Sequence, residues 1–207
     1  MKYYLKQGFF PFLYILFMAA IAFGILMIND LIWLKILLAV LNIGLYAVVV
    51  AAASFKDGQD AMKTLYANDL ERREIVRTGE DRPLKIREEY KPWKGFMFGF
   101  ISCVPLLVLL ALHTVVYFIT GSYMGIGAIA GIIYLMFFIF FRLNVSLSGA
   151  EGEIAASISW YTYFGALIAL PIIMLITGIA YILGARKIRH QHETIEEKQR
   201  SIYGDEN

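Results

Sequence analysis

The feature that most constrains this chain is a set of long apolar runs with almost no charge inside them. Of its 19 Lys and Arg and 17 Asp and Glu residues, only Lys35 falls within one of these runs. A run of about 20 apolar residues has the length an α-helix needs to cross a hydrocarbon core of about 30 Å. In that core every backbone N–H and C=O must be bonded within the protein, so spanning segments are helices or strands of closed barrels. Continuous runs of this length, without strict alternation, read as helices. The fold class is therefore all-α, a polytopic integral membrane bundle of about five transmembrane helices in one membrane domain. Composition agrees: 59% of the 207 residues are hydrophobic and 17% charged. A soluble domain carries about 45–50% and about 25%.

The spans fall at about 9–28, 32–54, 96–118, 124–141 and 160–183. The first run is longer than the core of a signal peptide, about 7–15 residues, and reads as an uncleaved helix. Pro11 then sits in its first turn, where a missing N–H costs little. Lys35 lies one turn inside the second span, close enough to its end to snorkel to the headgroups. Pro105 falls inside the third span and Pro171 near the middle of the fifth, where each deletes a helix hydrogen bond. Trp93 and Lys94 mark the start of the third span as interfacial anchors.

Between the second and third spans, residues 56–94 hold 10 basic and 9 acidic residues. This connector reads as cytoplasmic and partly helical. Its helix is expected from about Gly58 to Thr78, with Asp57 as N-cap and Gly79 as the stop. Met62, Leu65 and Tyr66 share one face of that helix and are its candidate partner-docking residues. Residues 185–207 form a charged tail, read as a frayed helix end followed by disorder. Counting Lys and Arg near span ends puts the N-terminus and 56–94 inside. With five full spans the tail then lies outside. The basic cluster Arg186-Lys187-Ile188-Arg189 points the other way, and a re-entrant fourth helix would reconcile the two.

Ionisable or amide side chains inside a bilayer are costly and become binding candidates. His113 is the only histidine within a span. Asn42 lies mid-span in the second helix, and its bland alternative is a hydrogen bond between helices. Arg142 ends the fourth span as a positive-inside anchor or an anion contact. These three are the candidate substrate-binding residues. Gly127-xxx-Gly131, and Gly165 with Ala169, are small-xxx-small patterns for close helix packing.

The absences narrow the function further. No Asp or Glu lies within a span, which argues against a buried carboxylate relay or an aspartyl intramembrane protease. There is no His-Glu-x-x-His, no Walker A loop and no Gly-x-Ser-x-Gly elbow. His190 and His192 have no third ligand near them in sequence, and Cys103 stands alone, so no metal site and no cofactor is expected. A formal net charge of +2 offers no basic face for nucleic acid. The reading is a non-enzymatic membrane subunit or accessory protein, multi-pass in the plasma (inner) membrane. It would act by binding a cytoplasmic or membrane partner, with homo-oligomers left open. The alternatives are a transport component recognising a small solute within the bundle and, further off, an intramembrane enzyme using His113.

Overall fold

The computed structural model describes residues 2–26, 28, 31–79, 83–121, 167 and 169–203. The chain is a helical membrane protein. Its described helices are α1 (Lys2–Leu26), α2 (Ile32–Thr78), α3 (Lys94–Thr120) and α4 (Ala169–Tyr203), with a short 3₁₀ turn over Ile86–Glu88. All four helices are long and apolar enough to cross a membrane, and no strand occurs among the described residues. The fourth expected span, 124–141, and its Gly127-xxx-Gly131 pattern lie outside the described residues, as does Gly165.

Two expected helix ends are corrected. The second span does not stop before the connector: α2 runs unbroken for 47 residues through Asp57 and Gly58 to Thr78. At 1.5 Å per residue it is about 70 Å long, more than twice the hydrocarbon thickness. Likewise the helical extension expected past Gly184 is no frayed end: α4 continues through the tail to Tyr203. A glycine inside a helix costs about 1 kcal/mol relative to alanine, so a mid-helix glycine needs a packing reason. Here the reason is close approach. A Cβ on Gly58 would fall on the Tyr181 carbonyl oxygen, 2.8 Å from its carbon, and a Cβ on Gly184 would fall on the Phe55 carbonyl in the same way. The two helices thus cross backbone against backbone, each glycine facing the carbonyl of the other chain segment. Gly79, by contrast, ends α2 as expected: it adopts φ 74°, and its N–H closes on the Ile75 carbonyl.

The prolines are also repositioned. Helix α1 begins at Lys2, so Pro11 lies in its third turn rather than its first. The added turns are held by Tyr3 and Tyr4, whose rings meet Phe98 and Trp93 of α3. Pro171 falls in the first turn of α4, the position that tolerates a missing N–H. Pro105 stays inside α3, which runs through it.

Contacts set the helix directions. The side-chain amide of Asn42 donates to the Met18 carbonyl at 3.0 Å, joining α2 to the antiparallel α1. Gly8 packs on Ile101 while Tyr3 meets Phe98, so α1 and α3 are parallel. On α3, Gly95 faces Gly178 and Tyr181, and Gly99 faces Met174 and Thr177, so α4 runs antiparallel to α3. Helix α4 is therefore parallel to α2, and Tyr66 of α2 stacks on His192 of α4 further along both. The N-terminus, the far half of α2, the start of α3 and the tail all lie at one end of the bundle. This overturns the expectation that the tail lies opposite the N-terminus. It also removes the charge conflict: among the described residues every Lys and Arg except Lys35 belongs to the segments at that end.

The outer faces of the spans carry the large apolar side chains, such as Phe17, Val48, Val108 and Ile179, as a lipid-facing surface requires. The inner stripe of α2 is more polar. It runs Lys35, Ala39, Asn42, Tyr46, Val50, Ser54, Gly58 and Ala61 at helical spacing, all buried. Lys35 is 4% exposed and is turned into the protein, not up to the headgroups.

Two outcomes are expected. Gly58→Leu or Gly184→Leu should push α2 and α4 apart and cost more than the 1–3 kcal/mol, roughly, of ordinary overpacking, read as a lower unfolding midpoint in mixed detergent micelles. In the wild-type background Cys103 is buried and silent. Thr78→Cys and Ser201→Cys should then label from the same side of sealed membranes, and Thr120→Cys from the other. Opposite labelling of positions 78 and 201 would refute the parallel pairing.

Candidate functional site

The densest set of engaged polar side chains lies where α2 and α4 leave the apolar part of the bundle. The apolar stretch of α2 ends at Phe55. Beyond it the segment 83–93 folds back onto α2, and the Tyr90 N–H donates to the Ala61 carbonyl at 3.1 Å. Glu89, in that segment, buries its carboxylate against α2. It accepts from the Asn68 amide at 2.8 Å and from the Arg72 guanidinium, which also donates to Asp69 at 2.6 Å. A carboxylate with so little exposure persists because a cation and an amide saturate it.

Lys94 follows at the first turn of α3. It was expected to reach the headgroups, but it is 1% exposed and turns inward. Its ammonium donates to the Arg87 carbonyl at 2.7 Å and to the Glu89 carbonyl. The same ammonium lies 5.8 Å and 5.9 Å from the ring centres of Tyr3 and Tyr4, within cation–π reach. Tyr181 of α4 closes the cluster: Tyr90 stacks on it and Phe98 meets it edge-on. The joint therefore ties α1, α2, α3 and α4 together at one level.

Asp57 borders this joint on α2. Burial pushes its carboxyl up to about 6, with the charge of Asp60 adding to the shift, while Lys56 and the Gln7 side chain act against it. Tyr3 is pushed up to about 12, first by burial and then by the charge of Asp57. The Glu89 carboxylate, the Arg72 guanidinium and the Lys94 ammonium are engaged with one another and with carbonyls. Among the described residues no group of three His, Cys, Asp or Glu side chains is placed to hold a metal.

The residues singled out from sequence fall on α2 and α3 and, for Arg142, outside the described residues. Asn42 is buried mid-membrane with its amide on Met18. His113 is buried on the inner face of α3. Met62 is buried and Leu65 half-buried, and Tyr66 lies 4.1 Å, centre to centre, from the His192 ring, so α4 occupies much of this face within the chain itself. His192 in turn lies 3.2 Å from Glu196. Glu89 and Asn68 carry no signal in the sequence that marks them, and Lys94 reads there only as an interfacial anchor. Gly95-xxx-Gly99 is a further small-xxx-small pattern, set at a helix start beside Trp93 and Lys94, and it packs on α4.

No protein-family model, curated protein or solved structure matches the chain.

Asp57 supplies a pH test. Its folded value lies above the usual carboxylate range, so protonation favours the fold. That contribution is complete below about 3.8 and is lost as pH rises through about 6. Wild-type protein in micelles should therefore melt lower at pH 7.5 than at pH 5 relative to Asp57→Asn. The difference should be on the order of 1 kcal/mol after solvent screening.

Proposed function

We propose that this chain is a non-enzymatic membrane subunit that binds a partner protein through the stalk formed by α2 and α4 beyond the bilayer. One observation carries this reading. Past the Tyr66–His192 stack, the two parallel helices leave large apolar side chains open: Leu70 at 66%, Val76 at 87% and Ile195 at 57% exposure. Single exposed apolar side chains are ordinary. Three on a two-helix projection, rimmed by charges of both signs such as Arg73, Arg77, Glu196 and Glu197, suit an amphipathic helix of another protein laid along it. Mixed charge fits neither a phosphate backbone nor an anionic membrane surface. In this reading the docking face lies outward of Met62, Leu65 and Tyr66, which serve to hold the stalk together. The stalk faces the cytoplasm, because the segments at that end hold nearly all the chain's Lys and Arg. A plasma-membrane location accompanies that orientation.

The test is site-specific photocrosslinking in cells. A photoreactive residue at 70, 76 or 195 should give one common protein adduct, whereas the same residue at lipid-facing position 48 should not. Leu70→Glu combined with Ile195→Glu should abolish the adduct from position 76. The melting temperature should barely move, since exposed substitutions cost about 0.5 kcal/mol or less. Absence of any adduct from all three stalk positions would overturn the proposal.

A further inference from the structure

Short hydroxyl side chains inside the bundle turn back on their own helix. Ser102 donates to the Gly99 carbonyl at 2.7 Å, and Thr177 donates to the Ile173 carbonyl at 3.0 Å. Such a local bond spares a buried hydroxyl the penalty of standing alone in an apolar medium. Asn42 and Tyr46 depart from that pattern. They lie one turn apart on the inner stripe of α2, and each is only 3% exposed. The Asn42 amide nitrogen donates to the Met18 carbonyl of α1, which fixes the orientation of the group and leaves its Oδ1 over. The rigid ring of Tyr46 holds its hydroxyl away from the backbone of its own turn. Both oxygens are closed off from the surface, and among the described residues neither has a hydrogen-bond partner.

The two oxygens are complementary through a third one. An amide oxygen only accepts, whereas a phenol both donates and accepts. Residues four apart stack on one face of a helix, with about 6 Å of rise between them. One water, bonded at about 2.8 Å on either side, bridges about 5.5 Å. Helices α2 and α3 sit diagonally in the bundle, with α1 and α4 packed on both. Across that diagonal the Cys103 thiol of α3 is within electrostatic reach of the Tyr46 hydroxyl, and the two side chains share one buried cluster. The other walls are apolar: Ile15, Met18 and Leu106 are buried in the same cluster. They offer no further polar side-chain group, so the pair matches a ligand of a single oxygen atom.

We propose that Asn42 Oδ1 and the Tyr46 hydroxyl together bind one water molecule on the bundle axis, in the middle of the membrane. The water donates one hydrogen to Asn42 Oδ1 and accepts the phenolic hydrogen of Tyr46. Its second hydrogen is directed toward α3, where the Cys103 sulfur is a weak acceptor. Three contacts are the usual complement of a buried water. Through Asn42 the water is tied to α1, through Tyr46 to α2 and through Cys103 to α3. This site is separate from the stalk and does not depend on any partner protein.

The test is water-edited solid-state NMR on the full chain, uniformly isotope-labelled, in phosphatidylcholine proteoliposomes. Magnetisation that starts on water should reach the Asn42 side-chain amide and the Tyr46 ring carbon that bears the hydroxyl. Tyr46→Phe keeps the ring and removes only the hydroxyl. It should abolish the transfer to Asn42 while the backbone resonances of α1 and α2 stay in place, which separates loss of the water from loss of fold. Thr177→Val removes a buried hydroxyl already bonded within its own helix and should leave the transfer unchanged. Melting should show the same coupling: Tyr46→Phe should lower the midpoint less in an Asn42→Leu background than in wild type, because the bridge can be lost only once. Transfer that reaches neither side chain in the wild-type protein, transfer that persists at Asn42 in Tyr46→Phe, equal loss in Thr177→Val, or additive melting shifts would each overturn the assignment.

Discussion

Everything in this protein hangs on two glycines that let α2 and α4 touch backbone to backbone. With any larger side chain at Gly58 or Gly184, the Tyr181 and Phe55 carbonyls would have to move away. In a bilayer no hydrophobic force draws helices together, because lipid tails are as apolar as leucine. Association rests on close packing and on hydrogen bonds between helices. Reciprocal glycine–carbonyl approach supplies the first, adding weak C–H···O attraction worth roughly 0.5–1 kcal/mol each. The Asn42 bond to Met18 supplies the second between α1 and α2. Helix α4 then becomes the common neighbour. It receives α2 on its Gly184 side and α3 on its Thr177–Gly178 side, through Gly95 and Gly99.

The joint below the bilayer depends on that crossing. Tyr181, the residue whose backbone faces Gly58, also offers its ring to Tyr90 and Phe98. Glu89 can be buried because α2 continues past the crossing and brings Asn68 and Arg72 into reach, and Lys94 because the 83–89 segment so held offers it two carbonyls. A helix that stopped at Ser54, as its hydropathy suggests, would leave the Glu89 carboxylate without its partners. Burying an unpaired charge is among the costliest things a fold can do. The length of α2 and the burial of the 83–94 segment are therefore one arrangement.

Much of this fold was legible in the sequence, because a bilayer leaves few ways to satisfy a backbone. The helical class, the Gly79 stop and an interhelical hydrogen bond from Asn42 all followed from hydropathy, conformational preference and hydrogen-bond accounting. What was not legible was where polarity failed to mean an end. Lys56, Asp57 and Gly58 look like a boundary, yet the helix passes straight through them. Gly58 is there for contact, and the charges face outward or into the joint. The direction of the last helix depended on counting spans, and a count does not show which helices lie side by side. The clasp around Glu89 and Lys94 was hidden for another reason. Its members, Asn68, Arg72, Arg87, Glu89 and Lys94, are scattered over a charged segment and are paired only by the fold-back.

The unbroken course of α2 has a mechanical side. A helix with no break between bilayer and tip acts as a lever pivoted at the glycine crossing. From Lys56 to Thr78 its outer arm measures about 34 Å at 1.5 Å per residue. A tilt of about 5° within the membrane therefore swings the tip sideways by about 3 Å, more than half the pitch of a helix. Changes in bilayer thickness, which membrane helices accommodate by tilting, would be read out as displacement at the far end of the stalk.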